Sequence, residues 1–138
     1  VVDTSYSTSG ELVKKFLRET FTILSETDSF FRKRKIHIIQ CDELVHSDIT
    51  VTGDTDIDIL INNFELAGGG NTDFRPAFEY VNNLIDTGEI KKLQGLLYFT
   101  DGKGKYPKKK MPYNTAFVFI DKLSETAVPA WAMKVSLE

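Results

Sequence analysis

The stretch Val1-Val2-Asp3-Thr4-Ser5-Tyr6-Ser7 decides how this chain is read. Two apolar residues read as the end of a buried strand. They run straight into a carboxylate and two hydroxyls at alternate positions, before a helix begins at Gly10. The result is an oxygen-rich turn at the tip of a strand. Hard divalent cations take oxygen ligands, and Mg²⁺ keeps several waters while using only one or two carboxylates. The Asp-x-Ser-x-Ser spacing offers that chemistry from one turn: the carboxylate of Asp3 and the neutral hydroxyls of Ser5 and Ser7.

Two distant segments extend the pattern. Gly68-Gly69-Gly70-Asn71-Thr72-Asp73 is a glycine loop that delivers a third hydroxyl, Thr72, just before a helix. Leu96-Leu97-Tyr98-Phe99-Thr100-Asp101-Gly102 is a hydrophobic strand that ends in a second carboxylate, Asp101, and a glycine turn. With these three pieces the sequence resembles the von Willebrand factor A (VWA) domain family and its metal-ion-dependent adhesion site (MIDAS). The resemblance implies that Asp3, Ser5, Ser7, Thr72 and Asp101 form one site for Mg²⁺, or for Mn²⁺ or Ca²⁺, at the carboxyl edge of a parallel sheet. It also implies an open coordination position filled by a glutamate or aspartate of a partner protein, so that the cation bridges two proteins. Tyr6 departs from the family pattern, which commonly has a small residue between the two serines; a ring there narrows access to the ion.

Length and composition set the frame. A chain of 138 residues with 41% hydrophobic and 27% charged residues is expected to fold as one globular domain over 1–138. A net charge of −3 gives no bulk attraction for nucleic acid. No apolar run approaches the roughly 20 residues needed to cross a bilayer, and no signal-peptide pattern is present, so no membrane partner and a cytoplasmic setting are expected. Cys41 is the single cysteine and sits in an apolar run, which reads as a buried reduced thiol. The chain starts with Val almost on the motif, so it is expected to be a piece of a longer protein.

Periodicity supplies the architecture. Thr8 and Glu11 have capping-box spacing, and Leu12, Val13, Phe16, Leu17, Phe21 and Leu24 make one apolar face of a helix from Gly10 to Glu26. Lys35 to Cys41 reads as a strand ending at Asp42, with Leu44 to Thr52 as its hairpin partner or neighbour. Asp54 to Asp58 reads as an exposed turn, and Ile57 to Phe64 is ambiguous between helix and strand. Thr72 or Asp73 is expected to cap a helix bearing Ala77, Phe78, Val81, Leu84 and Ile85 on its buried stripe, with Gly88 as its stop. Gly95 to Thr100 and Thr115 to Ile120 read as buried strands, and Ala132 to Leu137 as an edge strand. Together these predict an α/β fold: an open, doubly wound, mostly parallel sheet in three layers, with one antiparallel edge strand. In such sheets ligands bind outside the carboxyl ends of the strands, where strand order reverses.

Enzyme readings find less in the sequence. A haloacid-dehalogenase-type phosphotransferase needs a second acid two residues after its strand-end Asp, and Ser5 stands there. The Gly68–Gly70 loop lacks both the G-x-G-x-x-G spacing and a Walker lysine. A serine nucleophile needs a histidine base, and the histidines, His37 and His46, lie far along the chain, with His37 mid-strand. The alternatives kept open are a Mg²⁺-dependent hydrolase or phosphotransferase using Asp3, and a metal-free scaffold. The lysines at 103, 105, 108, 109 and 110 read as a solvated loop, or as a charge that steers an acidic partner toward the cation.

A narrower resemblance rests on Gly68 through Tyr80, on Ile39-Gln40-Cys41-Asp42 and on Pro129-Ala130-Trp131. These are similar to a bacterial subgroup of VWA-like domains found carboxyl-terminal to a domain classed as a metallopeptidase. The subgroup is commonly associated with MoxR-type AAA+ ATPases. The resemblance implies such an ATPase as partner, and it places any peptidase chemistry upstream of Val1.

Overall fold

The computed structural model describes residues 1–4, 10–25, 35–119 and 128–136. Ser5, Tyr6, Ser7 and the Thr8 capping position lie outside the described residues, as do Ile120 and Leu137. The described strands are β1 (Val2–Asp3), β2 (Ile36–Cys41), β3 (Val45–Val51), β4 (Leu96–Thr100), β5 (Thr115–Phe119) and β6 (Met133–Ser136). The helices are α1 (Gly10–Ser25), α2 (Ile57–Asn62) and α3 (Arg75–Asp86). The strands form one sheet in the order β3-β2-β1-β4-β5-β6. All neighbours are parallel except the β2–β3 hairpin, which puts the antiparallel strand at one edge.

Side chains alternate across a strand, so the central strands β2, β4 and β5 feed two cores. On one face Val2, Ile38, Phe99 and Val118 pack under α1 through Val13, Phe16, Leu17 and Phe21, with Ile61 of α2 joining them. Phe16 stacks on Phe99 with ring centroids 4.6 Å apart. On the other face Ile39, Cys41, Tyr98, Phe117 and Phe119 pack under α3 through Ala77, Phe78 and Val81. Every residue of β5 is buried, as a strand covered on both faces requires.

Local chemistry settles what periodicity left open. Ile57–Asn62 is a helix because Asp56 caps it: its carboxylate accepts from the Ile59 N–H at 3.1 Å. At α3 the capping residue is Phe74, with Pro76 in the first turn and no side-chain cap bond. Asp73 acts one position earlier, accepting from the Arg75 N–H at 3.0 Å. His37 is held in the sheet by Asp48 at 2.9 Å, and Tyr80 donates to the same carboxylate at 2.7 Å. That bond is the main cause of the Tyr80 phenol being pushed up to about 12. No helix among the described residues is long and apolar enough to cross a membrane.

Candidate functional site

Strand order reverses between β1 and β4, because β1 is followed along the chain by β2 on one side while β4 leads to β5 on the other. The carboxyl ends of these two strands therefore flank the crevice where open α/β sheets bind ligands. Asp3 is the last residue of β1, and Asp101 follows directly on β4. Pairing of Val2 with Phe99 sets Asp3 beside Thr100. The Thr100 hydroxyl donates to Asp3 Oδ2 at 2.5 Å and accepts from the Gly102 N–H at 3.1 Å. Asp3 and Thr100 are fully buried, so this short bond fixes the orientation of the Asp3 side chain. Asp101 is half-buried, and its Oδ1 accepts from the Lys103 N–H at 3.0 Å.

A third strand end, that of β2, ties in the glycine loop. Asp42 is 4% exposed. Its Oδ1 accepts from the Leu44 N–H at 2.9 Å and lies 2.7 Å from His46 Nε2, while Oδ2 accepts from the Gly70 N–H at 3.0 Å. Burial by itself raises this carboxyl, but the bonds from Leu44, His46 and Gly70 outweigh it and hold Asp42 below the ordinary carboxylate value of 3.8. The backbone adds two links: the Gly69 N–H donates to the Thr4 carbonyl at 2.9 Å, and the Asp73 N–H to the Asp42 carbonyl at 3.2 Å.

The loop is close enough to the sheet that side chains do not fit. A Cβ on Gly68 would lie 2.7 Å from Thr4 Oγ1 and 3.0 Å from Asp42 Oδ2, and Gly68 has φ +123°. Thr4 Oγ1 is itself buried with no hydrogen-bond partner among the described residues. Past the loop, Thr72 packs against the turn after β4, where a Cβ on Gly104 would come within 2.7 Å of its methyl group. The Phe74 N–H then donates to the Lys105 carbonyl at 3.0 Å.

Of the five residues expected from the sequence, Asp3, Thr72 and Asp101 arrive at one edge of the sheet, and Ser5 and Ser7 lie outside the described residues. No three of the described His, Cys, Asp and Glu residues are grouped to hold a metal. A cation held here would have to draw on hydroxyls as well as carboxylates. The available set of Asp3, Thr72 and Asp101 is all oxygen, which fits a hard cation. Sequence reasoning leaves Asp42, His46 and Thr100 out of the site. A signal for Asp42 was present, since it follows an apolar strand just as Asp3 and Asp101 follow theirs.

The sheet order, the helices on both faces and the acids at the switch point define an α/β domain with a polar carboxyl edge. The chain belongs to the VWA-like domain family (DUF2201), which it matches over residues 1–138. No curated protein and no solved structure matches it.

Proposed function

We propose that this VWA-like domain is a protein-interaction module that holds a divalent cation, Mg²⁺ or alternatively Mn²⁺ or Ca²⁺, through Asp3, Ser5, Ser7, Thr72 and Asp101. Bound there, the cation supplies a positive centre for a carboxylate from a partner protein. The residues do the rest: Asp3 and Asp101 balance the ion's charge, the three hydroxyls add neutral oxygens, and Thr100 and Gly102 keep the Asp3 carboxylate oriented. The narrower resemblance adds the setting, a longer protein with a metallopeptidase-like domain working with a MoxR-type AAA+ ATPase.

The observation that carries this reading is the joining of three strand ends at one edge. Asp3 and Asp101 close neighbouring strands at the reversal of strand order, and the loop bearing Thr72 is bonded to Thr4 and Asp42. A hydrolase using Asp3 as nucleophile or base finds less support, because Asp3 is fully buried and one of its oxygens is engaged by Thr100.

Thermal unfolding with Mg²⁺, Mn²⁺, Ca²⁺ or chelator tests the proposal. A ligand that binds only the folded state at about 100 times its dissociation constant adds roughly 2.7 kcal/mol. That stabilisation is expected in the native chain and is expected to vanish in Thr72→Ala and Asp101→Asn. No shift with any of the three ions, or a shift that survives both substitutions, overturns the site; the first result leaves a metal-free scaffold.

A further inference from the structure

Between Asp101 and Asp121 the only charged residues are lysines, at 103, 105, 108, 109 and 110, in a chain whose net charge is −3. Solvation alone does not shape this segment. The Tyr106 hydroxyl donates to the Gly102 carbonyl at 2.8 Å, and its ring lies 4.6 Å from Phe74 and 4.9 Å from Phe117. The Lys105 carbonyl accepts from the Phe74 N–H, and Trp131 Nε1 donates to the Pro107 carbonyl at 3.3 Å. Farther along, Tyr113 donates to Asn82 Oδ1 at 3.0 Å, and Asn82 Nδ2 reaches Met111 Sδ at 3.7 Å. The backbone is thus tied to α3, β5 and Trp131 while all five lysines stay exposed. None of them makes an ion pair with a described residue. Like charges held on a fixed ridge repel one another, and an anion laid along them relieves that repulsion.

Beside the ridge, between α3 and residues 107–111, lies a cleft of about 250 Å³. Its apolar walls are the part-buried Pro107 and Met111 over the buried Phe78, and its charged rim is Arg75, Lys108, Lys109 and Glu79. Arg75 is already committed to Asp73, with bonds of 2.9 and 2.8 Å, so the lysines are the unpaired cations there. Pockets for drug-sized ligands begin at roughly 300 Å³, so this smaller cleft suits one apolar side chain better than a cofactor.

We propose that ridge and cleft form a second docking surface, for an acidic peptide segment of a partner protein that seats one apolar side chain against Pro107 and Met111 and its flanking carboxylates on Lys108 and Lys109. The ridge starts at the candidate cation site: the Lys103 N–H donates to Asp101, and Lys105 holds Phe74, two residues after Thr72. A partner that presents a carboxylate to the ion therefore meets the ridge with its neighbouring residues. The inference shares with the cation reading only the premise that the chain binds a protein; it needs no metal. Because the surface is already ordered, binding forgoes much of the usual ordering cost.

The test is fluorescence anisotropy of a labelled peptide of glutamates around one central leucine, added to the full chain with chelator present. Binding is expected to weaken about tenfold between roughly 0.05 and 0.15 M salt, as screening shortens the reach of the lysines. Replacing the leucine by serine is expected to cost about another tenfold, in line with the burial of one aliphatic side chain. Lys108→Glu/Lys109→Glu is expected to weaken binding by tenfold or more, while Lys91→Glu/Lys92→Glu, the same charge change at the opposite edge, leaves it within about twofold. Absence of binding, equal loss in the two double variants, or tighter binding of a single-stranded oligonucleotide through the same lysines each overturns the proposal. Unfolding curves with and without Mg²⁺ are unaffected by any of these outcomes, so the cation reading and this one fail separately.

Discussion

The two ends of the sheet are built on opposite plans. At the carboxyl end, three strand tips and a glycine loop are drawn together by Asp42, Thr4 and Thr100, with contacts so close that a single Cβ on Gly68 collides. At the amino end a cavity of about 780 Å³ opens, lined by Val2, Phe21, Ile36, Ile38, Leu93 and Leu97. Its charged lining includes Lys35 and Glu89, which already neutralise each other at 3.0 Å. Close packing and buried polar contacts gather at the carboxyl end, while the larger void lies at the other.

The sharpest way to break this contrast is to disturb the crowded end. Gly68→Ala combines a disfavoured φ with the Thr4 and Asp42 collisions and is expected to cost about 3 kcal/mol or more in urea unfolding. Gly69→Ala has a comparable φ of +104° but open space, so strain alone should cost about 1–2 kcal/mol. Equal losses at the two positions would mean that crowding does not shape this edge.

Asp42→Asn comes next, at about 1.5–3 kcal/mol near neutral pH, since it weakens bonds to a charged, buried acceptor. The sign with pH follows from Asp42 being held below 3.8 in the fold. Its contribution is complete above the unfolded-state value and is lost as pH falls through the folded one. The stability gap between native chain and variant should therefore narrow below about pH 4; a gap that stays constant there refutes the account. The smallest effect belongs to the open end. Leu97, 43% exposed, is expected to lose only about 1 kcal/mol on change to Ala, whereas a fully packed leucine loses 2–5.

How much of this was legible depends on whether a signal is local. The stripe of Val13, Phe16, Leu17 and Phe21 and the alternation of Phe117, Val118 and Phe119 state their faces within a few residues, and the layered sheet follows from them. Ile57 to Phe64 fits either period, and it took the Asp56 cap to decide for helix. Leu97 reads as core by composition yet is 43% exposed. At the site, Asp3, Thr72 and Asp101 stand out as polar residues at the ends of patterned segments. Asp42 and Thr100 matter through partners 28 and 97 residues distant, which no spacing rule reveals. The lysine segment reads as solvated by composition and its lysines are exposed, but its tethers from Phe74, Asn82 and Trp131 are distant in sequence and leave no local signal.

Cys41 lies fully buried directly before Asp42, and burial pushes its thiol up to about 11. Only an exposed thiolate attacks an alkylating reagent, so in the closed fold this sulfur is silent. As the chain's sole cysteine, it is a ready-made clock: the rate at which iodoacetamide consumes it counts how often the β2 strand end swings open, with no probe having to be engineered in.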